Sequence, residues 1–118
     1  MVLSVYVDGS GGPNGGFGYF VKETGKSFYE KKPDITNNQA EYMAIIAALR
    51  EFSNSGESII VYSDSKNTIK QLNHEFAINN EILREFARVA WELIGKFSDI
   101  KLEWVPRKEN LAGKMLGS

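Results

Sequence analysis

Cysteine is absent from the 118 residues, which excludes disulfides and thiolate metal sites. Any metal ligands must then be oxygens, and a reducing, cytoplasmic setting is expected. The one histidine, His74, reads as a loop residue rather than a catalytic one. No apolar run approaches the ~18 residues of a membrane span, and no charged-then-apolar leader opens the chain. An excess of positive charge is also missing. The net charge is −1, whereas a domain that binds nucleic acid through bulk charge should be basic. Such binding would have to come from local patches: Lys31-Lys32, Lys66 with Lys70, or Arg107-Lys108 with Lys114. Each patch could equally be ordinary solvated lysines. What remains is 42% hydrophobic and 25% charged, an ordinary globular composition, long enough for one domain over residues 1–118 with one core. A monomer is expected.

The chain is organised around Val5-Tyr6-Val7-Asp8-Gly9-Ser10. Leu3, Val5 and Val7 alternate with Ser4, Tyr6 and Asp8, the period-2 pattern of a strand, and the glycines from Gly9 to Gly16 end it. Phe17–Val21 and Ser27–Lys31 read as a hairpin turning near Thr24-Gly25. Asn37 or Asn38 can cap a helix that runs to about Phe52 and stops in Ser53-Asn54-Ser55-Gly56. Ser58–Asp64 is a strand whose Ile59-Ile60-Val61-Tyr62 run is apolar on both faces, hence central. A short helix over Ser65–Asn73, capped by Ser65 or Asp64, precedes a long one opened by Asn79 or Asn80 and running to about Lys96. That long helix carries Ile82, Phe86, Val89 and Leu93 at helical spacing. Ile100–Val105 is the last strand, Pro106 ends it, and Glu109–Leu116 is a final short helix. The order β-β-β-α-β-α-α-β-α makes an α/β domain: a five-stranded mixed sheet, antiparallel first and parallel by crossovers later, flanked by helices.

Three acids stand out. Asp8 ends a core strand, where a carboxylate is costly to desolvate unless something cationic sits beside it. A turn-forming Asp is the bland alternative. Glu41 shares the stripe Glu41, Ile45, Ala48, Phe52, which faces the sheet; attraction to the helix N-terminus would also explain it. Asp64 repeats the first pattern, an apolar strand ending on a carboxylate, although it could be only a helix cap. If the two strands pair in parallel, Asp8 and Asp64 emerge side by side at the carboxyl edge, where sites form in open α/β sheets, with Glu41 over them. Carboxylates that close need a counter-ion. Hard divalent cations supply it, and two of them about 4 Å apart suit phosphodiester hydrolysis.

The segments Val7-Asp8-Gly9-Ser10, Thr36-Asn37-Asn38-Gln39-Ala40-Glu41, Tyr62-Ser63-Asp64-Ser65 and Trp104-Val105-Pro106-Arg107 with Glu109-Asn110 resemble, in order and interval, the type 1 ribonuclease H family. The resemblance implies the ribonuclease H-like fold and metal-dependent cleavage of the RNA strand of RNA–DNA hybrids. It implies a two-metal site for Mg²⁺ or Mn²⁺ held by Asp8, Glu41 and Asp64. It further implies that Asn37, Asn38 and Gln39, with Gly9, Ser10, Gly11 and Ser65, contact the hybrid and sense ribose 2′-hydroxyls, the group that tells RNA from DNA. Thr36 matches a position contacting a phosphate of the DNA strand, and Arg107 one on a loop that helps product leave. One departure is clear. The family's fourth carboxylate, a few residues beyond Asn110, is replaced by Gly113 or Lys114, depending on the register. Asn110 is then a candidate neutral metal ligand, and Glu109 a candidate that could swing in. A second departure is the short Glu75–Ile78 link, which leaves little room for the basic helical insertion of some members. The alternative to an enzyme is a hybrid-binding module of the same fold with weak or lost catalysis.

Overall fold

The computed structural model describes residues 1–115. The strands are β1 (Val2–Ser10), β2 (Gly16–Val21), β3 (Ser27–Lys31), β4 (Ser58–Ser63) and β5 (Ile100–Trp104). The helices are α1 (Asn37–Phe52), α2 (Lys66–Leu72), α3 (Glu81–Ile94) and α4 (Leu111–Met115), with a 3₁₀ turn over Arg107–Glu109 before α4. Type and order of the elements follow the sequence pattern; Leu116, placed in the last helix by that pattern, lies outside the described residues.

The sheet order is β3-β2-β1-β4-β5, antiparallel across β3-β2-β1 and parallel across β1-β4-β5. β1 is the middle strand. Leu3, Val5 and Val7 meet Ile59 and Val61 of β4 on one face, all buried, and α1 packs over them. β4 is interior to the sheet but buries only that face: Ile60 and Tyr62 are half-buried on the other, where the Tyr62 ring stacks on Tyr6.

The stripe of α1 is as its spacing indicates, with Glu41, Ile45, Ala48 and Phe52 all buried. Tyr42, Ile46 and Leu49 are buried as well, because α3 covers the helix's other side. Two details differ from the sequence reading. Thr36, not Asn37 or Asn38, caps α1: its Oγ1 accepts from the Gln39 N–H at 3.0 Å while Gln39 Oε1 accepts from the Thr36 N–H at 3.1 Å. The segment Thr36-Asn37-Asn38-Gln39 is thus a complete capping box. The buried face of α3 is Leu83, Ala87, Ala90 and Leu93, whereas Ile82 is exposed and Phe86 and Val89 are half-buried. Small residues let α3 lie close to α1, which displaces the bulkier stripe one position round the helix to its flank.

Candidate active site

β1 and β4 run parallel with Tyr6 opposite Tyr62 as their last pair; Asp8, still paired with Gly18 of β2, and Asp64, just past the end of β4, therefore come out at one edge. The first turn of α1 crosses that edge and brings Glu41 down onto it. Candidate ligand oxygens of Asp8, Glu41 and Asp64 lie within 4.8 Å of one another. All three side chains are largely buried: Asp8 and Glu41 are 3% and 7% exposed, and the Asp64 side chain 9%.

The glycines after Asp8 make this convergence possible. A Cβ at Gly9 would overlap the Ala40 carbonyl, and one at Gly11 the backbone of Ile35 and Thr36. The close approach they permit is that of α1 itself. Contact is sealed by hydrogen bonds: the Gly9 N–H donates to Glu41 Oε1 and the Gly11 N–H to Asn37 Oδ1, each at 2.6 Å.

Crowding shows in the electrostatics. Burial, then the charges of Asp8 and Asp64, push the Glu41 carboxyl up to about 8, against the opposing pull of the Gly9 N–H and Arg107. Metal-free, the cluster keeps a proton at neutral pH rather than hold three charges. A compact set of carboxylate oxygens with no sulfur or imidazole is the donor chemistry of a hard divalent cation, so the residues fit such an ion.

Asn110 and Glu109, the two candidates nearest the missing fourth acid, are placed differently. Asn110, a candidate metal ligand, is fully buried, but its amide nitrogen faces the cluster: Nδ2 donates to the Val7 carbonyl at 2.8 Å and to Asp64 Oδ2 at 3.0 Å. Its oxygen accepts from the Ala112 N–H at 3.0 Å, away from the acids. The reverse orientation would set oxygen against the Val7 carbonyl and NH₂ against the Ala112 N–H, so the network fixes it. Glu109 does not join the cluster; it is exposed and its charge is felt by Tyr6. Among the described residues no fourth acid completes the group. Gly113 is buried and Lys114 exposed.

Arg107 is beside the site. Its Nη1 stands 3.7 Å from Asp64 Oδ2, on a side chain 61% exposed. A basic partner for the acids is thus present that their own motifs did not reveal, though at this distance and exposure its attraction is modest. Trp104, which opens the last of the four motifs, is also tied to the site: its indole Nε1 donates to the Asp64 carbonyl at 3.1 Å, and the Lys66 Nζ lies 5.1 Å from the centre of its ring. An indole N–H needs an acceptor, and that requirement was the only signal in the sequence. The remaining candidates border the acids. Ser65 caps α2, accepting from the Thr68 N–H, Thr36 and Gln39 form the box that starts α1, and Ser10 and Asn38 are exposed.

A family model described as reverse transcriptase-like matches residues 21–117. Ribonuclease HI of Halobacterium salinarum is 41% identical over 76 residues, which cover 64% of this chain and 38% of that protein. The crystal structure of RNase H1 from the same organism superposes with a TM-score of 0.84 at 31% identity, over 93% of this chain and 89% of that one. The N-terminal RNase H domain of a Mycobacterium tuberculosis protein gives a TM-score of 0.86 at 26% identity, over 98% and 90% of the two chains. Joined to a five-stranded mixed sheet whose central parallel pair ends in the carboxylate cluster, these matches establish that the chain belongs to the ribonuclease H family.

Proposed function

We propose that this chain hydrolyses the RNA strand of RNA–DNA hybrids in a reaction that depends on a divalent cation. The observation that carries the reading is the convergence of Asp8, Glu41 and Asp64 within 4.8 Å at the edge of β1 and β4, in a chain of this family. The three carboxylates would hold the cation, Mg²⁺ or Mn²⁺. When bound, it would supply charge for an attacking water and for the scissile phosphate. The first turn of α1 offers the neighbouring groups for substrate. Asn38 is exposed there, and the Asn37 amide is held by Gly11 through its oxygen, with its NH₂ left to donate. Side-chain amides can both donate to and accept from a ribose 2′-hydroxyl. The Thr36 hydroxyl accepts within the capping box and keeps its proton for a phosphate oxygen. Arg107, exposed beside Asp64, can follow negative charge on the departing product. We place the protein in the cytoplasm, as a monomer.

A second reading, a hybrid-binding module with weak catalysis, is favoured by one observation: among the described residues the C-terminal segment adds no acid to the cluster. Incubation with a labelled RNA–DNA hybrid, an all-RNA duplex and an all-DNA duplex, with Mg²⁺, Mn²⁺ or EDTA, separates the two. The expected result is cleavage of the hybrid alone, abolished by EDTA. Hybrid binding without cleavage in either metal favours the module, and equal cleavage of the all-DNA duplex refutes ribose reading.

A further inference from the structure

Asn110 is one of the few fully buried polar side chains in the protein, and its hydrogen bonds divide sharply by atom. Nδ2 bridges two parts of the site that are far apart in sequence, the Val7 carbonyl, 103 residues away, and Asp64 Oδ2. Oδ1 is spent on the Ala112 N–H, at the start of α4. The residue before Asp8, the carboxylate of Asp64 and the first turn of α4 are therefore tied through one amide. Asp64 is held a second time by the Trp104 indole, but through its backbone carbonyl; at its carboxylate Asn110 donates a hydrogen bond at 3.0 Å, while the exposed Arg107 stands off at 3.7 Å.

We propose that Asn110 is a positioning residue that aims the Asp64 carboxylate at Asp8 and Glu41 by donating to it, and that it ligates no metal. The proposal rests on the reading of the three acids as a cation site, and deepens it. An outer contact that fixes a carboxylate ligand is worth about 10–100-fold in metal affinity. A neutral donor also differs from a fourth acid in that it orients the carboxylate without adding another negative charge to the cluster. Its orientation separates the two roles. A metal ligand would present oxygen to the acids, and Asn110 presents nitrogen.

The test uses calorimetric titration of the full chain with Mn²⁺ alone, beside thermal melts in EDTA. Asn110→Ala is expected to weaken Mn²⁺ binding about 10–100-fold. Ala112→Gly, which loosens α4 without touching Asp64, lowers the melting temperature but leaves Mn²⁺ affinity unchanged. If Asn110→Ala does not fold, Asn110→Leu, close in volume and without a donor, takes its place with the same expectation. Asn110→Asp keeps the one oxygen and replaces the NH₂ donor with a second, setting acceptor against acceptor at Val7 and Asp64, and its melting temperature in EDTA is expected to fall below wild type. Wild-type Mn²⁺ affinity in Asn110→Ala or Asn110→Leu, an equal loss in Ala112→Gly, or a metal-free Asn110→Asp as stable as wild type would each overturn the proposal. Hybrid cleavage by the wild type is scored separately, so an inactive wild type refutes the proposed function while the Mn²⁺ and melting data still decide the role of Asn110.

Discussion

At the scale of single residues, Glu41 couples the site to pH. Its ordinary value of 4.5 is raised to about 8 in the metal-free fold. Between those values the folded chain keeps a proton that the unfolded chain has released, so stability falls as pH rises through that window. The slope from this group is at most about 1.4 kcal/mol per pH unit. In EDTA the melting temperature should therefore drop from pH 5 to pH 8.5, and in Glu41→Gln, which can still accept from the Gly9 N–H, the drop should be much smaller. An unchanged slope in the variant would assign the pH dependence to other groups. Asp8→Asn is expected to abolish hybrid cleavage while leaving the metal-free fold at least as stable, since it removes one like charge. The relief is smaller than the sequence alone suggests, because Arg107 already offsets part of the repulsion at Asp64. Wild-type cleavage by Asp8→Asn would remove it from the site.

The element that matters most is the start of α1, because one capping box fixes both the helix and the amides that border the acids. Thr36→Ala should cost about 1 kcal/mol of stability in urea unfolding, and Thr36→Ser should recover most of it. If hybrid binding also weakens in Thr36→Ala but not in Thr36→Ser, the hydroxyl serves substrate as well as helix. The start of α4 is the second such element. Gly113 is the buried member of that pair and Lys114 the exposed one, so Gly113→Asp is expected to add a carboxylate to the cluster and Lys114→Asp to leave its carboxylate in solvent. A cluster one acid short should favour Mn²⁺, which binds such sites more tightly than Mg²⁺ and demands a less ideal octahedron. Initial rates titrated against both metals are expected to show that preference in wild type. Gly113→Asp should raise the rate in Mg²⁺, and Lys114→Asp should leave it unchanged. A response from Lys114→Asp alone would reverse this assignment.

Over the whole molecule the charge is nearly balanced, at −1, and several cations are already engaged. Lys26 pairs with Glu51, Lys70 with Glu75 and Arg88 with Glu85. The other eleven of the fourteen basic residues are spread along the sequence among fifteen acids, so only a small number are expected to meet the phosphates of one duplex. Since each neutralised phosphate adds about −0.9 to the slope of log affinity against log salt, the slope for hybrid binding should be shallow, roughly −3 or less steep. Affinities measured between 50 and 200 mM salt check this. A slope near −6 would reveal a basic surface that the folded chain assembles from residues scattered in sequence.

The sequence by itself determined the elements and the identity of the acids. Alternation in Leu3–Asp8, the stripe from Glu41 to Phe52 and the apolar run Ile59–Tyr62 each report one local period, and local periods survive folding unchanged. Two strands ending on carboxylates, with a third acid on a buried helix face, were legible for the same reason. What only tertiary structure decided depends on contacts between distant segments. Two stripes one residue apart fit α3 equally well, and packing against α1 chose the one containing Ala87 and Ala90. The glycines after Asp8 are explained by α1 lying on them, a fact absent from their neighbours in sequence. Asn110 is the clearest case. Whether an amide shows a cation its oxygen or its nitrogen depends on which groups meet each end, and those groups, Val7, Asp64 and Ala112, come together only once the sheet has closed.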